Sequence, residues 1–185
     1  MSRPLIVGFG GTTRPGSSGE RMVAAVLAAT AELGAETRLF GGAALAALPH
    51  FAPENPERTP EQREFVEAVR AADGLVIGSP GYHGGVSGLV KNAIDLLEDL
   101  RSDTRVYFDG RAVGLVVTAA GWQAGGVTLS ALRGIVHAMR GWPTPLGIAV
   151  NTVAQKPFDA EGRLADADIA AQVKAQAEQV MRLAR

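Results

Sequence analysis

Apolar residues along this chain fall into two alternating kinds of pattern. Short runs at 4–9 (PLIVGF), 36–40 (ETRLF), 74–79 (GLVIGS), 112–118 (AVGLVVT) and 146–150 (LGIAV) read as strands. They are runs more than apolar–polar alternations, which suits a sheet covered on both faces. The run at 36–40 is the weakest. Between them, apolar positions recur at helical spacing. Met22, Val23, Val26, Leu27 and Leu33 do so in 18–33, and Phe65, Val66 and Val69 in 60–72. Val90, Ile94 and Leu97 follow in 87–100, then Leu129, Leu132, Ile135 and Val136 in 126–139, then Ile169, Val173, Val180 and Leu183 in 165–183. Pro60 after Thr59 fits a first helical turn. This alternation predicts an α/β fold with a parallel sheet. Five strands predict the doubly wound order 2-1-3-4-5, a flavodoxin-like three-layer sandwich. Two stretches are less regular. Residues 41–59 carry a short helix and an exposed loop, and 151–163 (NTVAQKPFDAEGR) reads as a surface excursion.

The bulk numbers narrow the classes. A chain of 185 residues, 46% hydrophobic, suits a single domain, 1–185, with a sizeable core. Its net charge is −1, with acids and bases interspersed. A nucleic-acid or anionic-membrane partner would want a basic patch, so neither is expected. The absence of cysteine excludes disulfides and thiol redox chemistry within the chain, so any electron transfer needs a bound cofactor. The opening MSRPLIVGFGG is too poor in apolar residues for a signal peptide, and no apolar run approaches the ~18 residues of a membrane span. A soluble cytoplasmic protein is expected.

In such a sheet, ligands bind outside the carboxyl ends of the strands, where the strand order reverses. The first loop there is GGTTRPGSSGE, 10–20. Gly8 and Gly10 begin a dinucleotide fingerprint, but Thr13 replaces its third glycine and strand two ends without an acid. The Lys of a phosphate-binding Walker loop is absent as well. What remains is Thr12, Arg14, Ser17 and Ser18 opening a helix. Hydroxyls, one guanidinium and free N–H groups suit a terminal phosphomonoester. Capping by Ser17 or Ser18 is the simpler reading of the serines alone.

The second loop, GSPGYHGGVSG, carries small residues that let a flat ring approach the backbone of 81–84, with Pro80 to stiffen it and Tyr82 to flank the ring. His83 reads equally well as a solvated loop residue. Ser87 suits a helix cap, Lys91 a solvated charge, and Asn92 a bond from its helix to the loop. The third loop, TAAGWQAGG (118–126), is again small, and its Trp122 either closes over the ring or belongs to the core or a subunit contact.

These loops together resemble the NAD(P)H-dependent FMN reductases of the flavodoxin-like fold. The residues that carry the likeness are GTTRPGSSGE after strand one and Ser79, Pro80, Tyr82, Gly84, Ser87, Gly88, Leu89, Lys91, Asn92 and Asp95 after strand three. The resemblance spans nearly the whole chain. It implies that Thr12, Arg14, Ser17 and Ser18 hold the FMN phosphate, that Ser87 belongs to the same cofactor site, and that Pro80, Gly81, Tyr82, His83 and Gly84 line the isoalloxazine. Thr118, Ala119 and Gly121 would stand at its far side. Gly19 belongs to the same phosphate site, but the family commonly has Asn or Thr there, so one contact worth ~1 kcal/mol is missing. Weaker flavin retention would follow.

The implied reaction carries hydride from NAD(P)H to FMN and on to an acceptor, or releases reduced FMN to a flavin-dependent monooxygenase partner. The subfamilies also include quinone, azo-dye and chromate reductases. No catalytic side chain and no metal is expected, because the flavin carries the chemistry. A pure electron carrier is the rival reading; such carriers tend to be strongly acidic, and this chain is not. A flavin-binding regulator and a flavin-free nucleotide binder are the others. The resemblance further implies a homodimer or homotetramer. The stripes Val86, Val90, Ile94, Leu97 and Leu129, Leu132, Val136 are more simply each domain's own core.

Overall fold

The computed structural model describes residues 3–184; Met1, Ser2 and Arg185 of the expected domain 1–185 lie outside the described residues. In chain order the elements are β1 (Leu5–Gly10), α1 (Ser18–Glu32), β2 (Glu36–Phe40), α2 (Gly42–Ala46), α3 (Pro60–Ala71), β3 (Gly74–Tyr82) and β4 (Gly85–Val86). Then come α4 (Gly88–Leu96), continued by a 3-10 turn, β5 (Ala112–Ala119), α5 (Trp122–Ala138), β6 (Trp142–Pro143), β7 (Ile148–Asn151) and α6 (Ala167–Met181).

The sheet runs β2-β1-β3-β5, with β6 and β7 both parallel to β5. The expected order 2-1-3-4-5 therefore stands, but the sheet has seven strands rather than five. One extra strand is β4, antiparallel to β3. The other arises because the fifth position is split. Ala112 and Val113 pair with Trp142 and Pro143, but Val116 pairs with Ile148, so the outer strand carries two additional residues between the two registers. The ladder runs on through Thr144 N–H, which donates to the Val113 carbonyl, and breaks at Pro145, which has no N–H to offer. Side chains take over there. Gln176, fully buried on α6, donates to the carbonyls of Leu115 (2.9 Å) and Leu146 (3.0 Å), while Arg133 donates to those of Thr144 and Pro145.

Alternate residues of each central strand feed two cores. Val7, Phe9, Leu75, Ile77, Leu115 and Val117 face α3, α4 and α5. Ile6, Val76, Val116, Ile148 and Val150 face α1 and α6, meeting Met22, Val23, Val26, Ile169, Val173 and Val180. Phe65 of α3 meets Phe9 and Phe40 edge-on, with centroids 5.3 and 5.2 Å apart, each contact worth on the order of 1 kcal/mol beyond burial. These contacts tie the β1–β2 edge to α3. β2 is an edge strand and buries only Phe40, which is why its apolar signal is weak.

Helix starts follow local chemistry. Thr59 and Gln62 form a capping box ahead of Pro60, and Asp166 caps α6 by accepting from Ile169 N–H. Helix α5 begins at Trp122 rather than 126, so GWQAGG is a helix start. Gly125 is tolerated because it packs α5 closely on β7, where its Cβ would stand 3.7 Å from Ala149. Among the described residues no helix is long and apolar enough to cross a membrane.

Candidate functional site

The carboxyl ends of β1, β3, β5 and β7 meet at one edge of the sheet, around a cleft of about 470 Å³. Thr12, Arg14, Ser17, Ser18 and Gly19 line it from the loop after β1, Pro80, Gly81 and Tyr82 from β3, and Thr118, Ala119 and Ala120 from β5. Thr152, just after β7, completes the wall. A larger hollow of about 650 Å³ lies between α1 and α6, floored by Ala24, Ala25, Ala28 and Ala29. Arg21, Phe158, Gly162 and Leu164 also line it, but it offers no hydroxyl and none of the small-residue loops after β1, β3 and β5, so the chemistry belongs to the cleft.

The loop after β1 is built around Ser17. This serine is buried, and its Oγ accepts from Thr12 N–H (3.2 Å) and from Glu20 N–H (3.4 Å). One hydroxyl thus closes the loop and caps α1. Thr12 Oγ1 in turn accepts from Arg14 N–H at 3.2 Å. The N–H groups of Ser18 and Gly19, the first two of α1, have no acceptor among the described residues. Orphan donors of this kind, at the positive end of the helix dipole, attract an anion. Arg14 is exposed and forms no ion pair among the described residues.

The outer side of this loop rests on α2. The Glu20 carboxylate accepts from Gly42 N–H at 2.9 Å. A Cβ on Gly42 would stand 1.7 Å from the Thr12 carbonyl oxygen, so only glycine lets the two segments approach.

The segment after β3 is a hairpin, not an irregular loop. Tyr82 pairs with Gly85, leaving His83 and Gly84 as a two-residue turn with φ +53° and +76°. Positive φ at both positions matches the turn that suits strand twist. Ser79 Oγ accepts from Ser87 N–H (3.1 Å), and Ser87 Oγ accepts from Val90 N–H (3.3 Å). Ser87 is therefore a buried cap of α4 and does not line the cleft; neither do His83, Gly84 and Gly121. Gly121 is instead the residue preceding α5. Gly81 does line the cleft, but its lack of a side chain answers to α5: a Cβ would stand 3.0 Å from Thr128 Oγ1. Tyr82 is 57% exposed at the cleft mouth. Trp122 is exposed and off the cleft, so it is not a core residue.

His83 holds a left-handed conformation that costs a residue with a Cβ ~1 kcal/mol. His83→Gly is expected to raise the denaturant midpoint, a gain of up to ~1 kcal/mol, and to leave ligand affinity in the cleft unchanged. An affinity loss, read by titration, would return the imidazole to the site.

Thr152 is the wall residue that sequence reading misses. Its N–H and its Oγ1 both donate to the Ala119 carbonyl, at 2.8 and 3.2 Å, which locks the β7 loop to the end of β5. Thr118 Oγ1 stands 3.4 Å from where a Gly19 Cβ would be, so the β5 end and the α1 start close the cleft floor together. Asn92 does not reach the hairpin. It accepts from Phe51 N–H and donates to the carbonyls of Leu48 and Pro49. Lys91 pairs with Asp95 on the exposed face of α4.

The sequence model for a family described as NADPH-dependent FMN reductase matches residues 4–155. A curated FMN-dependent NADPH-azoreductase of Staphylococcus haemolyticus (strain JCSC1435) is 39% identical over 89 residues, 48% of this chain and 44% of that protein. One from Staphylococcus aureus (strain USA300) is 36% identical over 99 residues, 54% of this chain and 49% of that protein. The chain thus spans about half the length of the curated relatives it matches. Among solved structures, the flavoenzyme NAD(P)H:(acceptor) oxidoreductase FerB from Paracoccus denitrificans superposes with a TM-score of 0.76 at 18% identity, over 98% of this chain and 100% of that one. An oxidoreductase from Corynebacterium diphtheriae gives 0.73 at 21% identity, over 98% and 97% of the two chains. At such identities these two likenesses establish the flavodoxin-like fold.

Proposed function

We propose that this chain, which belongs to the NADPH-dependent FMN reductase family, holds FMN in the cleft and uses it to oxidise NAD(P)H. The loop of residues 12–19 carries this reading. It combines unpartnered N–H groups at a helix start, the Ser18 hydroxyl and an unpaired Arg14. A phosphomonoester dianion has the acceptor oxygens that such donors need. Thr118 and Thr152, on the wall beyond, would meet the polyol chain of the cofactor, Thr152 as an acceptor because its hydroxyl proton is committed to Ala119. Pro80, Gly81 and Tyr82 would flank the flat ring.

When bound, FMN supplies the two-electron chemistry that joins a nicotinamide donor to an acceptor. The residues of the chain bind and orient, and none is assigned a proton. The azoreductase relatives favour an azo compound as acceptor. A quinone, chromate, or free flavin passed to a monooxygenase is the wider class. Activity in the cytoplasm, as a homodimer or homotetramer, belongs to the same reading. Tyr82, Trp122 and Val127, each at least half exposed, support self-association by offering apolar surface that a second copy could cover.

The test is NADH and NADPH oxidation by flavin-stripped protein while FMN is titrated from sub-stoichiometric to large excess. Saturation at one FMN per subunit, with turnover requiring an added azo dye, quinone or chromate, is the expected result. A rate that keeps rising with free FMN would make flavin the substrate. Binding of FMN without oxidation of either nucleotide would leave only a carrier or a regulator.

A further inference from the structure

The hollow between α1 and α6 lies apart from the cleft and is the larger of the two, at about 650 Å³. It exists because α1 presents alanines where larger residues would fill the space. Ala24 and Ala28 stand one turn apart, as do Ala25 and Ala29, so the four recess one stretch of the helix face. Val173 and Ala177 of α6 line it from the other helix, and Leu164 from the excursion between β7 and α6. Leu33, just past the end of α1, also lines it and is 46% exposed. Volume and lining are those of a small-molecule site, mostly apolar with a few polar groups to orient a ligand.

The rim is charged, and unevenly so. Arg21 stands in the first turn of α1 and Glu32 at its end, ~17 Å apart along the axis. Lys174 of α6 adds a second cation. None of the three forms an ion pair among the described residues. Arg21 is nonetheless held. Its Cζ lies 5.7 Å from the centroid of Phe158 of the excursion. A Cβ on Gly162 would stand 3.7 Å from its Nη1, so the excursion passes close to the guanidinium. The carboxylates on either side of Gly162 in the chain offer it no partner, since Asp159 and Glu161 both pair with Arg163. An aromatic seat orients a guanidinium without neutralising it. Arg21 is exposed, so its remaining N–H groups can meet a ligand.

We propose that this hollow is a second ligand site, for a small amphipathic anion. Its carboxylate or sulfonate would pair with Arg21, and its apolar body would lie over the alanines toward Leu33. The charges set both the sign and the direction. A cationic ligand would meet Arg21 and Lys174, and an anion placed at the far end would meet Glu32. The site is separate from the cleft and does not rest on the FMN reading.

The test titrates the purified protein with decanoate, and with decanol as its uncharged match, by calorimetry. Anilinonaphthalene sulfonate is titrated in parallel by fluorescence. One saturable site per chain is expected for the anions, and the tighter of the two tells an alkyl body from an aryl one. Arg21→Gln should weaken both anions about three- to fivefold and flatten their salt dependence, with decanol changed by less than about twofold. Ala28→Phe, at an exposed helix position, should fill the hollow and weaken every probe about tenfold or more, with the circular dichroism of the parent. Arg14→Gln, in the cleft, should leave the anions unchanged. Unchanged anion affinity in Arg21→Gln would overturn the proposal, as would decanol binding as tightly as decanoate or no saturable binding of either anion. Anions that weaken in Arg14→Gln as much as in Arg21→Gln would place the probes in the cleft and overturn it as well.

Discussion

Gly42→Ala is expected to cost about 3 kcal/mol or more of stability and to lose FMN binding with it. The new methyl would stand 1.7 Å from the Thr12 carbonyl oxygen and 2.7 Å from the Thr12 carbonyl carbon. Both are backbone atoms, so no side chain can rotate away. Moving α2 outward would break the 2.9 Å bond from Gly42 N–H to Glu20, and moving the loop would break the Ser17 bond to Thr12. Gly134→Ala in α5 is the matched control. Nothing lies within 4 Å of its Cβ, and helix propensity predicts a gain of up to ~1 kcal/mol. Urea unfolding gives both numbers, and flavin titration on whatever remains folded gives the affinity. A Gly42→Ala protein with the parent midpoint and parent affinity would mean that the loop does not rest on α2 as described.

Arg14→Gln should weaken FMN by about ten- to a hundredfold, the scale of one hydrogen bond to a charged group, and leave riboflavin nearly untouched. Arg14 lines the cleft itself and is exposed there. Glutamine keeps length and a donor, which isolates the charge. Isothermal titration with the two flavins reads the difference. An equal loss for both would show that Arg14 shapes the cleft and does not recognise phosphate.

What the sequence made legible is what local chemistry determines. Short apolar runs marked the strands, Thr59–Pro60 marked a helix start, and glycines with hydroxyls marked the loops that now line the cleft. The misses have a common cause, which is that the deciding partner is remote in sequence. Thr152 carries no motif in NTVAQK; it reaches the cleft because β7 pairs with β5 and Ala119 receives its two bonds. The hairpin at His83-Gly84 lacks the Asn-Gly or Asp-Gly signal of its turn type. The pattern starts helix α5 too late because Gly125 and Gly126 look like loop in sequence, whereas in the fold Ala149 lies beneath Gly125. The partners of Asn92 lie at 48–51, a segment whose place the sequence pattern does not predict.

The split outer strand has a consequence for which changes the chain can accept. Side chains of a strand alternate with a period of two, so parity governs insertions. The additional pair of residues between Pro143 and Ile148 preserves it: Ile148 and Val150 still point inward, toward α1 and α6. Removing one residue from 144–147 would reverse the strand, take both out of the core they share with α1 and α6, and drive them against α5, where Ala149 now sits beneath Gly125. Removing two would leave parity intact and could restore a continuous ladder. Gln176 would then lose its acceptors at Leu115 and Leu146 and become a buried amide with no task. Position 176 and the length of this segment should therefore change together, an apolar residue accompanying the shorter strand and glutamine the longer.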